Sequence, residues 1–358
     1  MQRALVIHDE YLNSYLNKNV GYFIQYLLSR GFQVQFLTLK GRGEPYDGRV
    51  GERFSLIELD APSLDSAALM RYLVHSPGLY DYIWIYPFHR RLPLMCALLR
   101  LKSRNLIVKM DSHRMVDPGA NALRRICGIL NQLFLTACAT KILVESSTVW
   151  SNFLVKHKLL RYSVGIPKNM IDLANRLGAE VTRQSIMLYA GRITPAKGVD
   201  RLVASFLQLH ASGELSPDWR LRIIGKVIDE KYFRSIVRSI AESSYQHLVT
   251  FGEEKKGEAY LREILSASLI VLPTLGEGLP NLIGDCFFCK RVFLTTTGAR
   301  CDELILDDDL YCRNSDGEFR EALHRVATDI ESYYERYDEL YCRDGFIDTD
   351  DFFSRMMR

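Results

Sequence analysis

Two loops in the second half of the chain hold side chains whose types and spacing suit one anionic, hydroxyl-bearing ligand. In Tyr189-Ala-Gly-Arg-Ile-Thr-Pro-Ala-Lys-Gly-Val-Asp200 an apolar run ends at Ala190, Gly191 permits a tight turn, and Arg192 and Lys197 precede a helical stretch. Two cations beside a helix N-terminus form an anion receptor, because free N–H donors and the helix dipole add to their charge. The same two residues also read as plain solvated loop charges. In Leu272-Pro-Thr-Leu-Gly-Glu-Gly-Leu-Pro-Asn-Leu-Ile-Gly-Asp285 an apolar run ends at Pro273, Glu277 and Gly278 make a turn, and Leu279 leads to Pro280, where a helix begins. Asn281 and Asp285, four apart, share one helix face. Carboxylates at such a place can hold sugar hydroxyls, while free N–H groups near Pro280–Leu282 and Thr296–Ala299 can hold phosphate. Asp285 sits beside Cys286, Phe287 and Phe288 and needs a hydrogen-bond partner whether or not it binds a ligand.

The elements that position these loops alternate. Ala4–Ile7, a buried strand, is followed by a helix over Val20–Ser29 that stops at Gly31, then by a strand over Gln33–Thr38, which together make one βαβ unit. Strands at Tyr82–Tyr86, Leu106–Met110 and Lys141–Glu145 follow, with helices around 92–102, 120–137 and 147–158. Residues 41–50 read as a loop and 169–185 as a connection. Alternation restarts with strands at Ser185–Ala190, Arg220–Ile224, His247–Phe251, Leu269–Pro273 and Val292–Thr296. The intervening helices are Val199–Ser212, Lys231–Ser243, Ala259–Ala267 and Asn281–Cys289, with more near 317–341 and 349–357. Strands that alternate with helices predict parallel sheets covered on both faces, here two doubly wound α/β domains, Rossmann-like in plan. The expected boundaries are 1–168, 169–345 and a terminal helix, 346–358, that crosses back to the first domain. Ligands of such sheets bind at the carboxyl ends of the strands, so a tandem pair predicts a cleft between domains.

The 358 residues, 47% hydrophobic and 25% charged, exclude a long disordered tail or a fibrous repeat. The net charge is only +3, but residues 1–165 carry 21 Lys/Arg against 12 Asp/Glu, a net of +9. That excess suits an anionic partner of the first half, such as a phosphorylated acceptor or a lipid surface, and surface charge drift accounts for it equally well. Phe88-His-Arg-Arg-Leu-Pro93 with Arg100, Lys102 and Arg104 is a cationic stretch able to rest peripherally on an anionic membrane, or to be a solvated helix face. A nucleic-acid role is not expected, since no basic-aromatic motif occurs and the pI is 8.3. The most apolar long stretch, Ile126 to Val144, contains Asn131, Gln132 and Lys141 and is no clean spanning helix; with no leader-like apolar run at the start, a cytoplasmic protein is expected. The eight cysteines lie mostly in apolar surroundings and read as reduced core thiols, including the Cys286/Cys289 pair. No metal is expected: Asp307-Asp308-Asp309 and Asp348-Thr349-Asp350-Asp351 read as a loop and a helix cap.

Several of these segments resemble, in order, the motifs of the retaining glycosyltransferases of family 4, which have the GT-B fold. Gly191-Arg-Ile-Thr-Pro-Ala-Lys-Gly-Val-Asp200 is similar to that family's GRLxPEKGxD segment. Glu277-Gly-Leu-Pro-Asn281, continuing through Asp285 and Cys289 to Glu303-Leu-Ile305, is similar to its EGLPNxxxEAxACGxPV…ELI segment. Ile166-Pro-Lys-Asn-Met-Ile-Asp172 resembles the IPNGVD linker with one extra residue. The resemblance covers about residues 140–305; residues 1–140 match only in pattern.

The resemblance implies two Rossmann-like domains that face each other across a cleft, and sugar transfer from a nucleoside diphosphate sugar to an acceptor hydroxyl with retention of configuration, without a metal. The acceptor would be a glycan or a lipid-linked glycan. Glu277 falls on the acid that contacts the donor sugar, Asp285 on the acid that holds the ribose, though one methylene shorter, and Arg192 and Lys197 on the pair that neutralises the diphosphate. Gly191, Gly278, Leu279, Pro280 and Asn281 belong to the same donor-binding motifs. The family's TxH segment most resembles Val108-Lys-Met-Asp-Ser-His113, so that Asp111 or His113 takes the active-site position, Asp111 in the better register. His8 and His89 are weaker candidates. The glycine-rich loop usual after the first strand is absent; only Gly21 stands there, after Asn17 and Asn19. Two other classes remain open: a nucleotide-sugar binding protein with little transfer activity, and a sugar-nucleotide epimerase.

Overall fold

The computed structural model describes residues 2–13, 16, 19–48, 50–64, 67–76, 78–86, 92–110, 122–145, 150–151, 153–162 and 164–358. Asp111 and His113, with His89, lie outside the described residues. The chain forms two compact units, Met1–Gly165 with Thr349–Arg358, and Ile166–Asp348.

The first unit is built on seven parallel strands: β1 (Arg3–Ile7), β2 (Gln33–Leu39), β3 (Phe54–Leu59), β4 (Tyr80–Ile85), β5 (Ser103–Met110), β6 (Lys141–Val144) and β7 (Leu159–Arg161), in the order β3-β2-β1-β4-β5-β6-β7. Helices α1 (Asn19–Ser29), α2 (Ala67–His75), α3 (Leu92–Lys102) and α4 (Ala122–Cys138) connect them. The central strands read as unbroken apolar runs because both faces are covered: Leu5, Ile7, Ile83, Ile85 and Val108 lie in one core with Leu99 and Leu135. Helix α12 (Thr349–Met356) completes this unit, with Phe353 against Phe23, Tyr26 and Trp84 and Phe352 against Tyr162. Short strands β8 (Val164–Ile166) and β15 (Phe346–Asp348) occur where the chain passes from unit to unit.

The second unit opens with α5 (Lys168–Gly178) and has a six-stranded parallel sheet: β9 (Gln184–Ala190), β10 (Arg220–Ile224), β11 (Val249–Gly252), β12 (Ala267–Leu272), β13 (Val292–Thr296) and β14 (Tyr311–Cys312), ordered β11-β10-β9-β12-β13-β14. Between them run α6 (Val199–Ala211), α7 (Glu230–Ala241), α8 (Gly257–Ser266) and α9 (Leu282–Phe288), followed by α10 (Asp316–Thr328) and α11 (Ile330–Glu335). Both sheets start in the middle, run to one edge and then to the other. The order reverses between β1 and β4 in the first unit and between β9 and β12 in the second, which opens a crevice at the carboxyl ends of those strands.

Several local expectations are corrected. Residues 169–185 hold helix α5 rather than a connection; only Ala174 and Leu177 of it are buried, so its apolar stripe is narrow. The described residues 153–158 of the expected helix 147–158 are not helical, and strand β7 follows them directly. Strands β3 and β14 and helix α2 were not expected; β3 is a partly exposed edge strand without an apolar run.

Candidate functional site

The crevice of the second unit is where the loops after β9 and β12 meet. Tyr189, buried at the end of β9, donates its hydroxyl proton to the Arg192 carbonyl at 2.7 Å and holds the start of the first loop. Pro195–Lys197 then makes one tight turn that ends at Gly198. This position, rather than Gly191, takes the left-handed conformation, with φ 65°. A Cβ on Gly198 would lie 2.2 Å from the Pro273 carbonyl oxygen, so the loops touch backbone to backbone. The Ala196 carbonyl accepts from the Leu275 N–H at 2.9 Å and the Thr274 hydroxyl at 3.1 Å. The Glu277 N–H donates to the Gly298 carbonyl at 2.8 Å, and the Thr296 hydroxyl to the Thr274 carbonyl at 2.5 Å. A Cβ on Gly298 would fall 2.1 Å from that same Thr274 oxygen. Three loops are thus stitched into one platform.

On this platform Lys197 and Glu277 form an ion pair through Nζ and Oε1, with Lys197 only 12% exposed. The other carboxylate oxygen, Oε2, is buried and has no hydrogen-bond partner among the described residues. A buried acceptor left open costs about 1–3 kcal/mol, which a ligand donor would recover. Burial pushes the Tyr189 hydroxyl far above its ordinary value and raises the Cys301 thiol, and the negative charge of Glu277 adds to both shifts, so both groups lie near the same carboxylate. Arg192 is exposed on the same loop and has no ion-pair partner among the described residues. The Gly278 and Leu279 N–H groups make no hydrogen bond among the described residues, and a Cβ on Gly278 would meet open space.

Other expectations are displaced. Helix α9 begins at Leu282, so Pro280 lies just outside it and exposed Asn281 takes the N-cap position. Asp285 accepts a hydrogen bond at Oδ2 from the Tyr260 hydroxyl of α8 at 2.7 Å, a partner that spacing along the chain did not reveal. Burial raises the Asp285 carboxyl from 3.8 to about 7, with the Tyr260 hydrogen bond acting in the opposite direction. The Thr297, Gly298 and Ala299 amides, expected as phosphate donors, are spent on the Cys312 carbonyl, the Thr296 hydroxyl and the Thr296 carbonyl at 2.8, 3.2 and 2.9 Å. Sequence reading also missed an open groove of about 440 Å³ lined by Gly225–Val227 and Phe251–Glu254. It adjoins the first loop, since the Ile193 N–H donates to the Lys226 carbonyl at 2.9 Å. The only trace of it in the sequence is the glycine that ends the Leu221–Ile224 run; Gly225 takes φ 143°, and a Cβ there would lie 1.9 Å from the Gly191 carbonyl oxygen. In the first unit His8 packs edge-on to Tyr86, and its Nδ1 accepts the Glu10 N–H at 3.3 Å.

No group of three His, Cys, Asp or Glu able to hold a metal ion occurs among the described residues. Asp307 and Asp309 are instead paired with Arg336 at 2.5 Å and Arg325 at 3.0 Å.

This architecture is that of the GT-B glycosyltransferases: two mixed α/β units, each with a parallel sheet. Over 99% of its length the chain superposes on 97% of a glycosyltransferase from Rickettsia africae, with a TM-score of 0.72 at 12% identity. Sucrose-phosphate synthase from Thermosynechococcus elongatus matches 99% of the chain over 98% of its own, with a TM-score of 0.64 and 16% identity. The Anabaena protein Alr3699/HepE, solved in complex with UDP and glucose, matches 100% of the chain over 99% of its own, with a TM-score of 0.65 and 11% identity. Residues 184–329, less than half of the chain, match the family described as glycosyl transferases group 1. No curated protein matches the chain.

Proposed function

We propose that the protein is a retaining hexosyltransferase of the family 4 type that moves a sugar from a nucleoside diphosphate sugar to an acceptor hydroxyl of a glycan or lipid-linked glycan, without a metal. One observation carries this reading: Glu277, paired with Lys197 through one oxygen, keeps the other buried and, among the described residues, without a partner at the topological switch point. The pair is an acid and a base poised to exchange partners. A diphosphate brought to Lys197 and Arg192 takes the cation, and a donor-sugar hydroxyl takes Glu277. The Gly278 and Leu279 N–H groups add uncommitted donors beside them. The groove at Gly225–Val227 offers room for the nucleoside, and the UDP held by the Anabaena protein makes a uridine donor the first to test.

The barrier to transfer lies in parting the diphosphate from a carbon that becomes oxocarbenium-like. Cations fixed where negative charge grows lower it, and removal of one such group costs roughly 3–4 kcal/mol. Lys197 is held by burial and by Glu277; Arg192 is the exposed second cation. Retention follows if the leaving phosphate deprotonates an acceptor that arrives on the same face of the sugar. Asp285, held by Tyr260, would reach the ribose only through its second oxygen.

The test incubates the protein with UDP-hexoses, with and without acceptor glycans. Product that requires both substrates supports transfer. Altered donor without acceptor would indicate an epimerase, and a donor-induced thermal shift with no product a binding protein.

A further inference from the structure

Helix α4 carries an apolar face that no other described residue covers. Ile126, Ile129, Leu130, Leu133 and Phe134 recur at helical spacing on one side and are all exposed, Leu130 at 58% and Phe134 at 45%. The opposite side is the buried one: Gly128, Gln132, Leu135 and Thr136 face inward. Leu154, 59% exposed, is a further outward apolar side chain of this unit, and its N–H donates to the inward Gln132 side chain at 3.3 Å. Clustered exposed apolar side chains of this kind, rather than single scattered ones, suit a docking surface.

Charge identifies what docks. Residues 82–165, which include α3, α4 and strands β5–β7, hold 13 Lys/Arg and 3 Asp/Glu, a net of +10, whereas residues 1–81 hold 8 and 9. No acidic residue occurs in 82–110 or 118–144. Arg124 and Arg125 lie in the first turn of α4, Lys141 follows the helix, and Lys158 donates to the Thr136, Ala137 and Ala139 carbonyls at its end. A second copy would bring the same positive field against itself, while a membrane with anionic headgroups offers both complements, acyl chain and negative charge. At 17 residues α4 is not a spanning segment, and among the described residues no helix is long and apolar enough to cross a membrane. We propose that the outer face of α4 docks the first unit on an anionic membrane surface, with the helix lying in the plane of the interface. Docking through α4 does not depend on which donor the second unit binds.

The test is co-sedimentation of the full chain with vesicles of phosphatidylcholine alone and of phosphatidylcholine with an equal part of phosphatidylglycerol. The protein should bind the mixed vesicles about tenfold or more tighter than the neutral ones, and added salt should weaken binding. The double substitution Leu130→Gln and Leu133→Gln, at exposed positions, should keep the thermal melt and lose about tenfold or more in partition. A polarity-sensitive dye on Cys127, exposed on the same helix, should blue-shift with mixed vesicles only. Equal binding to both vesicles, equal binding by the double variant, or no vesicle binding would overturn the proposal. So would a concentration-dependent dimer that the double variant abolishes.

Discussion

Asp285→Asn should make the protein more stable, and only above the acid range. A carboxyl raised from an ordinary 3.8 to about 7 costs roughly 4 kcal/mol when it ionises in the folded state. Asp285 keeps part of its surface open, so about 2–4 kcal/mol is the working figure. The sign follows from proton binding. Below about pH 4 both folded and unfolded states hold the proton and the two proteins should be equally stable. Between about pH 4 and pH 7 the unfolded carboxyl ionises first, so wild-type stability falls as pH rises, and above about pH 7 the gap is constant. An asparagine keeps an oxygen for the Tyr260 hydroxyl but never ionises. Urea unfolding of both proteins from about pH 4 to pH 8 should give curves that separate by about 2–4 kcal/mol across that window. Parallel curves, or a gap that widens toward acid, would refute the placement of Asp285 in a poorly solvated site.

The Tyr260 hydrogen bond favours the ionised carboxyl, so Tyr260→Phe should raise the Asp285 titration further and cost about 1–3 kcal/mol of stability, most at alkaline pH; NMR of the carboxyl carbon and urea unfolding would show this. Lys197→Ala should lower transfer by about a hundredfold or more in a steady-state assay with acceptor, and leave Glu277 with no cation. Glu277→Ala should abolish transfer while the circular dichroism spectrum is unchanged; undiminished turnover would remove Glu277 from the site. Gly298→Ala should cost more than about 2 kcal/mol in urea unfolding, because its methyl meets the Thr274 carbonyl.

What was legible in the sequence was the alternation, since buried parallel strands such as Ala267–Leu272 and Val292–Thr296 are unbroken apolar runs. Elements with one thin buried stripe were not: α5 shows the core only Ala174 and Leu177, and edge strand β3 mixes polar with apolar residues. At the site, loop chemistry could be read but pairing could not. Lys197 and Glu277 lie eighty residues apart and meet only because β9 and β12 are neighbours at the switch point. Asn281 and Asp285 share helical spacing, yet Asn281 is the cap of α9 and Asp285 is claimed by Tyr260, 25 residues earlier. Whether a loop amide is free depends on its neighbours, and the partners of Thr297–Ala299 come from Cys312 and Thr296 in ways that spacing along the chain does not show.

Because the first unit includes residues 349–358, its core contains side chains that the ribosome adds only after the whole second unit has been synthesised. Until then Phe23, Trp84 and Tyr162 lack the two phenylalanines that α12 sets against them. The nascent first unit therefore waits with an unfinished aromatic pocket while the second matures. Loss of the last ten residues should consequently injure the N-terminal half of the molecule rather than the half that precedes them in the chain.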